Sequence, residues 1–205
     1  MEFQKVLETR RTVRKYSAGV TREQMEELLR AAQEAPSWKN SQTGRYYCVL
    51  SEEMVDKIRM ECLPDAGNAG KSEHAALIIT TFVHDRAGFQ KDGSADNELG
   101  NGWGCYDLGL QNENLILKAT DLGLSTLIMG LREADRLREI LNIPETETIV
   151  SVIAVGKAAE DPIRPHRKRT QRNRKILLNN IINSLYVTKF MQGVFVYKQE
   201  HRFIY

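Results

Sequence analysis

Ala35-Pro36-Ser37-Trp38-Lys39-Asn40-Ser41-Gln42 is the stretch on which the reading of this 205-residue chain turns. Pro36 ends the helix before it, because a residue preceding proline is pushed out of the α region. Five hydrogen-bonding side chains (Ser37, Lys39, Asn40, Ser41, Gln42) then fall within six positions, a density that suits a loop and not a core. Upstream, Arg10-Arg11-Thr12-Val13-Arg14 places three arginines in five residues. Guanidinium groups are not buried cheaply unless something anionic meets them. Together the two pieces point to a loop and a helix end shaped around a polar, phosphate-bearing ligand. The plainer alternatives are a self-bonded turn, which Ser and Asn readily form, and a helix C-terminus decorated with cations that favour its dipole.

Working outward, residues 2–10 read as a short helix. Thr21 with Gln24 three positions on forms a capping box, and Met25, Leu28, Leu29, Ala32 and Ala35 follow at helical spacing. Tyr46 to Leu50 suits a strand and Ser51 to Cys62 an amphipathic helix. A short helix around Gly70 to His74 leads into a buried strand over Ala76 to Val83. The polar, glycine-bearing run from Phe89 to Gly102 predicts a mobile excursion. Trp103 to Leu122 reads as a long helix stopped by Gly123, Leu124 to Met129 as a strand, and Arg132 to Leu141 as a helix before Pro144. Thr148 to Gly156 is strongly β-branched and predicts a further strand. Helices and strands without regular alternation indicate α+β and not a doubly wound sheet.

The chain is long enough to bury about 70% of its unfolded surface as one domain. Its best apolar run, Ala75 to Val83, falls short of a membrane span. The opening Met1-Glu2-Phe3-Gln4-Lys5 does not resemble a signal peptide, and the three cysteines, Cys48, Cys62 and Cys105, have no ligand or disulfide pattern. These features predict a cytoplasmic protein with no membrane partner. The net charge of +2 hides an asymmetry: residues 1–163 hold 19 Lys+Arg against 26 Asp+Glu, and residues 164–205 hold 10 against 1. A basic terminus of this kind invites a nucleic-acid reading, or a solvated tail. No phosphate-loop lysine motif, nucleophile elbow, H-E-x-x-H or dinucleotide fingerprint occurs, and the four histidines are scattered. No metal site is expected. With few acid–base candidates clustered, the chemistry is expected to belong to a cofactor.

At these residues the sequence resembles the nitroreductase family of FMN-dependent oxidoreductases. The resemblance rests on the arginine cluster, the Pro36-to-Gln42 loop, the Leu122-Gly123-Leu124-Ser125-Thr126 turn, the helix carrying Gln111, Asn112, Asn114 and Leu115, and a closing strand ending Val155-Gly156-Lys157. It runs in order over roughly residues 3–169. It implies an α+β nitroreductase-like fold with a central, mostly antiparallel sheet flanked by helices, forming a homodimer with FMN at the interface. The implied domain spans 1–169, and 170–205 is an atypical basic and aromatic tail, either an arm around a partner subunit or an appended extension.

The resemblance further implies site residues. Arg10, Arg11 and Thr12 match the motif that holds the flavin phosphate and ribityl chain. Arg14 matches the basic residue beside N1 and O2 of the ring. Ser37, Trp38, Asn40 and Gln42 match the loop lent to the neighbouring subunit's flavin, although Thr43-Gly44 follow where the family usually has Pro-Trp. Ile128, Met129 and Gly130 match the segment whose backbone passes N5. Some relatives carry an acidic residue where Met129 stands. Arg164 and Arg167 match basic residues that return to the FMN phosphate. The implied activity is NAD(P)H-dependent reduction of nitroaromatics, quinones or related electrophiles by two-step exchange through FMN, with no catalytic acid required. Two alternatives stay open: a specialised flavin reductase or dehalogenase on the same fold, and a nucleic-acid-binding protein acting through residues 164–202.

Overall fold

The structure, a computed structural model, describes residues 1–63 and 67–159. Arg164, Arg167 and the tail from residue 170 therefore lie outside the described residues. Among the described residues, six α-helices and five strands follow one another as α1 (Phe3–Thr9), β1 (Tyr16–Ala18), α2 (Arg22–Gln33), β2 (Gly44–Val49), α3 (Glu52–Cys62), α4 (Asn68–Lys71), β3 (Ala76–Val83), α5 (Gly102–Asp121), β4 (Ser125–Met129), α6 (Ala134–Leu141) and β5 (Glu147–Ala158). The α+β expectation holds.

β5 is the axis of the sheet. It pairs antiparallel with β3, β4 and β1, while β2 pairs antiparallel with β3. β3 is apolar along almost its whole length because both of its faces are covered. Leu77 and Ile79 join Val55, Ile58, Leu137 and Val152 beneath α3 and α6, and Ala76 and Ile78 join Met25, Leu28, Leu115 and Ile153 beneath α2 and α5. The result is a sheet held between two helical layers. Gly104 sets how closely the upper layer approaches: a Cβ there would lie 2.2 Å from the Phe82 ring, so only glycine lets the start of α5 settle on β3.

Two local features depart from the sequence reading. β1 is a three-residue strand with no strand signal of its own, formed where Tyr16 and Ala18 meet the end of β5. Gly156 makes room for it, since a Cβ there would lie 2.3 Å from the Ala18 carbonyl. The run expected to be a mobile excursion is a loop tied to itself. Phe89 bridges Ala95, the Asp96 N–H donates to the Gly88 carbonyl at 2.7 Å, and the Trp103 indole donates to Asn97 at 2.9 Å. Among the described residues no helix is long and apolar enough to cross a membrane, and no cluster of His, Cys, Asp and Glu could hold a metal ion.

Candidate functional site

The arginine segment is positioned by β4. Thr12 forms a parallel bridge with Thr126, and the Val13 N–H donates to the Thr126 carbonyl at 3.1 Å. Val13 is buried in the core, whereas Thr12 and Arg14 on either side of it are exposed. The Arg11 guanidinium turns back and donates to the Glu8 and Arg10 carbonyls, each at 2.7 Å, closing the end of α1 where carbonyls lack helical partners. Arg10 and Arg11 line a small cavity of about 100 Å³ with Thr9, Thr120 and Ser125.

Arg14 lines a larger cleft of about 400 Å³, shared with Lys15, Gly67, Gly70, Lys71, Glu73 and His74. Tyr16 forms part of its wall and donates to the Val13 carbonyl at 2.9 Å. Burial holds this hydroxyl protonated well above its ordinary range, with the Arg14 charge acting in the opposite direction. Lys71 comes from α4, a four-residue helix too short to stand without tertiary support. That support is specific. Arg59, 8% exposed, donates from Nε to the Ala69 carbonyl at 2.8 Å and from Nη1 to Asp56 at 2.5 Å. Asn68 Nδ2 reaches the Leu131 carbonyl at 3.4 Å, while Ser72 Oγ caps the helix locally by donating to the Asn68 carbonyl at 2.8 Å. The Asn68–Leu131 contact joins α4 to the turn that leaves β4.

At that turn the residues divide by face. Met129 is 2% exposed and packs into the core beneath α3 and α6, so its side chain is filler, while Ile128 is 52% exposed. The Gly130 carbonyl accepts Arg132 Nη1 at 3.0 Å, and Arg132 Nη2 also donates to Ile149. The side chains open to solvent here are those of Ile128 and of Leu131, 55% exposed.

The loop before β2 is a single 3-10 turn over Trp38–Asn40. Three of its non-glycine residues are left-handed, Lys39 at φ 46, Asn40 at φ 55 and Gln42 at φ 49. Inside the loop, Ser37 Oγ accepts the Gln42 N–H at 3.1 Å and Gln42 Nε2 donates to Asn40 Oδ1 at 2.9 Å. Outside it, the Trp38 N–H donates to Asp107 at 2.8 Å, and the Trp38 indole donates to Asp96 at 3.2 Å. The indole also packs on Trp103, with ring centroids 4.1 Å apart. Burial on α5 raises the Asp107 carboxyl above the usual carboxylate range, partly offset by the Trp38 N–H.

Register separates these two groups of residues. Gly44, just after the loop, pairs with Phe82 at one end of β3, whereas Ala76 at the other end pairs with Val155, beside the Thr126 that holds Thr12. At about 3.3 Å per residue, the eight residues of β3 put its ends roughly 23 Å apart. Arg10 to Arg14 and Ser37 to Gln42 thus stand at opposite ends of one sheet.

The sequence model of the nitroreductase family matches residues 7–157. The chain belongs to the nitroreductase family. Among curated relatives it is 29% identical over 170 residues to a protein of Archaeoglobus fulgidus with the provisional name NADH dehydrogenase/NAD(P)H nitroreductase, covering 76% of this chain and 84% of that one. It is also 29% identical over 157 residues to the NADPH-flavin oxidoreductase of Vibrio harveyi, covering 74% of this chain and 64% of the relative. Solved structures share the fold. A nitroreductase family protein of Clostridium novyi NT superposes with TM-score 0.67 at 20% identity, covering 78% of this chain and 87% of that chain. One from Streptococcus pneumoniae TIGR4 gives 0.69 at 16% identity, covering 83% and 98%.

On this nitroreductase fold, Arg10, Arg11, Thr12, Arg14, Ile128, Met129 and Gly130 gather around β4, and Ser37, Trp38, Asn40 and Gln42 form a separate loop. Lys71 is the residue that sequence reasoning missed. No motif flags it, and only the docking of α4 shows that it shares a cleft with Arg14.

Proposed function

We propose that this protein is an NAD(P)H-dependent FMN oxidoreductase acting as a homodimer, each flavin site being built from both chains. The observation that carries the reading is the cleft in which Arg14 and Lys71 meet, on a fold whose second polar loop lies at the far end of the sheet. The cleft suits an electron-rich, phosphate-bearing ligand. Its cations, Arg14, Lys15 and Lys71, outnumber its one carboxylate, Glu73, and it is walled in part by Gly67 and Gly70, where a Cβ at Gly70 would meet nothing within 4 Å.

FMN, when bound, relays electrons from NAD(P)H to an acceptor such as a nitroaromatic, quinone or enone. Arg10 and Thr12 would hold its phosphate and ribityl chain, with Arg11 in support from the end of α1. Arg is suited to this because its planar fork meets phosphate oxygens in pairs. Arg14 and Lys71 would face the pyrimidine end of the ring, where cations favour the charge that reduction brings. The Ile128-to-Gly130 backbone would border the ring, and Ser37, Asn40 and Gln42 of the second chain would complete the site. Arg164 and Arg167 complete the set of basic residues proposed for the phosphate. Positioning of donor and acceptor over one ring supplies most of the rate. The free thiols Cys48, Cys62 and Cys105 fit a reducing, cytoplasmic setting.

The test is a spectrum. The purified protein should be yellow, or become so on adding FMN, and its flavin absorbance should bleach with NADH or NADPH. A colourless protein that takes up no added FMN overturns the reading.

A further inference from the structure

We infer that Asp96 is a positioning residue for the cofactor, acting through the Ser37-to-Gln42 loop; the inference rests on the FMN reading above. The loop takes a backbone conformation that disfavours three of its residues. Left-handed φ at Lys39, Asn40 and Gln42 is unfavourable for any L-residue, though least so for Asn. Such backbones persist where their surroundings over-determine them. Four hydrogen bonds lie within the loop, from the Asn40 N–H to the Ser37 carbonyl, the Ser41 N–H to the Trp38 carbonyl, the Gln42 N–H to Ser37 Oγ and Gln42 Nε2 to Asn40 Oδ1, and none of them engages Lys39.

The missing constraint comes from outside, and much of it converges on one carboxylate. Asp96 accepts the Trp38 indole N–H at 3.2 Å and the Lys39 ammonium at 2.9 and 3.1 Å. Its side chain is only 15% exposed, which shelters the bond from the Trp38 indole, while the Lys39 side chain, 65% exposed, reaches it from the solvent side. The hook itself is anchored. The Asp96 N–H is held by the Gly88 carbonyl, and its neighbours Ala95 and Asn97 are bound to Phe89 and Trp103. Trp103 in turn lies against Trp38 and Tyr106. The segment between β3 and α5 thus reaches across 58 residues of sequence to fix the side chains of Trp38 and Lys39, the two residues that precede Asn40. Asn40 and Gln42 are exposed and stand where a ligand could meet them. Asp96 touches no such ligand and works only by holding their backbone.

FMN titration of the full-length protein, followed by flavin fluorescence quenching, tests this with wild type, Asp96→Ala, Asp96→Asn, Asn40→Ala and the double variant Asp96→Ala/Asn40→Ala. Asp96→Ala should raise the FMN dissociation constant about tenfold, as expected for one lost charged contact. Asp96→Asn, which keeps an acceptor for the indole but no charge for Lys39, should fall between Asp96→Ala and wild type. Because Asp96 acts through the loop, the double variant should bind little worse than Asn40→Ala alone. Tryptophan emission of the FMN-free Asp96→Ala protein should shift as Trp38 is released, without loss of cooperative unfolding. Dissociation constants within twofold of wild type in both Asp96 variants, or losses that multiply in the double variant, overturn the inference while leaving the FMN reading intact. A wild-type protein that binds no FMN removes both.

Discussion

Two arginines four residues apart are expected to do different work, and the structure gives each a different setting. Arg10 is half-buried beside the end of α1 and the start of β4, while Arg14 is exposed to the cleft that also holds Lys71. Arg10→Ala should weaken FMN binding by roughly 1.5–3 kcal/mol, the range for a lost charged hydrogen bond, with little change in midpoint potential. Arg14→Ala should lower the potential and slow reduction by NAD(P)H more than it weakens binding, and Lys71 should keep the effect partial. FMN titration alongside potentiometry separates the two; equal changes in both quantities would refute the division of roles. A third residue carries a pH signature. Desolvation raises the Asp107 carboxyl in the folded state, so at a given pH it holds its proton more readily there than in the unfolded chain. The corresponding stability is present below the ordinary carboxylate pKa and is lost as pH rises through the raised one. Asp107→Asn removes that loss and keeps an acceptor for the Trp38 N–H. Thermal melts should therefore show the variant at least as stable as wild type near about pH 7, and the gap closing towards about pH 4. A gap that widens on acidification would mean the Asp107 charge is itself stabilising.

Elements differ in how much of them is written locally. α2 is legible because its signals are its own. The Thr21 side chain accepts the Gln24 N–H at 3.3 Å, the Gln24 side chain accepts the Thr21 N–H at 3.0 Å, and Met25, Leu28 and Ala32 face the core. α4 is illegible beyond a short helical tendency because four residues cannot pay for nucleation; it exists where Arg59 and Asn68 dock it. β1 likewise forms only because the end of β5 offers an edge, and the left-handed turn at Lys39 and Asn40 carries no glycine to announce it. The docking of α4 gives a direct test. Arg59→Met should keep the buried bulk but lose the bonds to Ala69 and Asp56, lowering unfolding free energy by about 1.5–3 kcal/mol. FMN affinity should fall as well, since α4 carries Lys71. A denaturation midpoint unchanged from wild type would show that α4 is held by something else.

At the scale of the molecule, the arginine motif and the polar loop were both visible as sequence, yet nothing local could say that they face apart. That separation is a property of register, fixed only when Gly44 pairs with Phe82 and Ala76 with Val155. It makes the two-chain site a geometric matter. If a flavin meets Arg14 of one chain and Asn40 of the other, a heterodimer of Arg14→Ala and Asn40→Ala chains holds one site with both lesions and one with neither. If each site is built within a single chain, every site in that mixture carries one lesion. Unfolding the two variants together and refolding them should therefore restore wild-type turnover at about a quarter of the sites, since statistical mixing makes about half the dimers hetero. Refolding each variant alone should restore none. A mixture no more active than the average of its parts would place Arg14 and Asn40 at the same flavin within one chain, or at none, and the dimeric site would have to be abandoned even if the protein proved yellow.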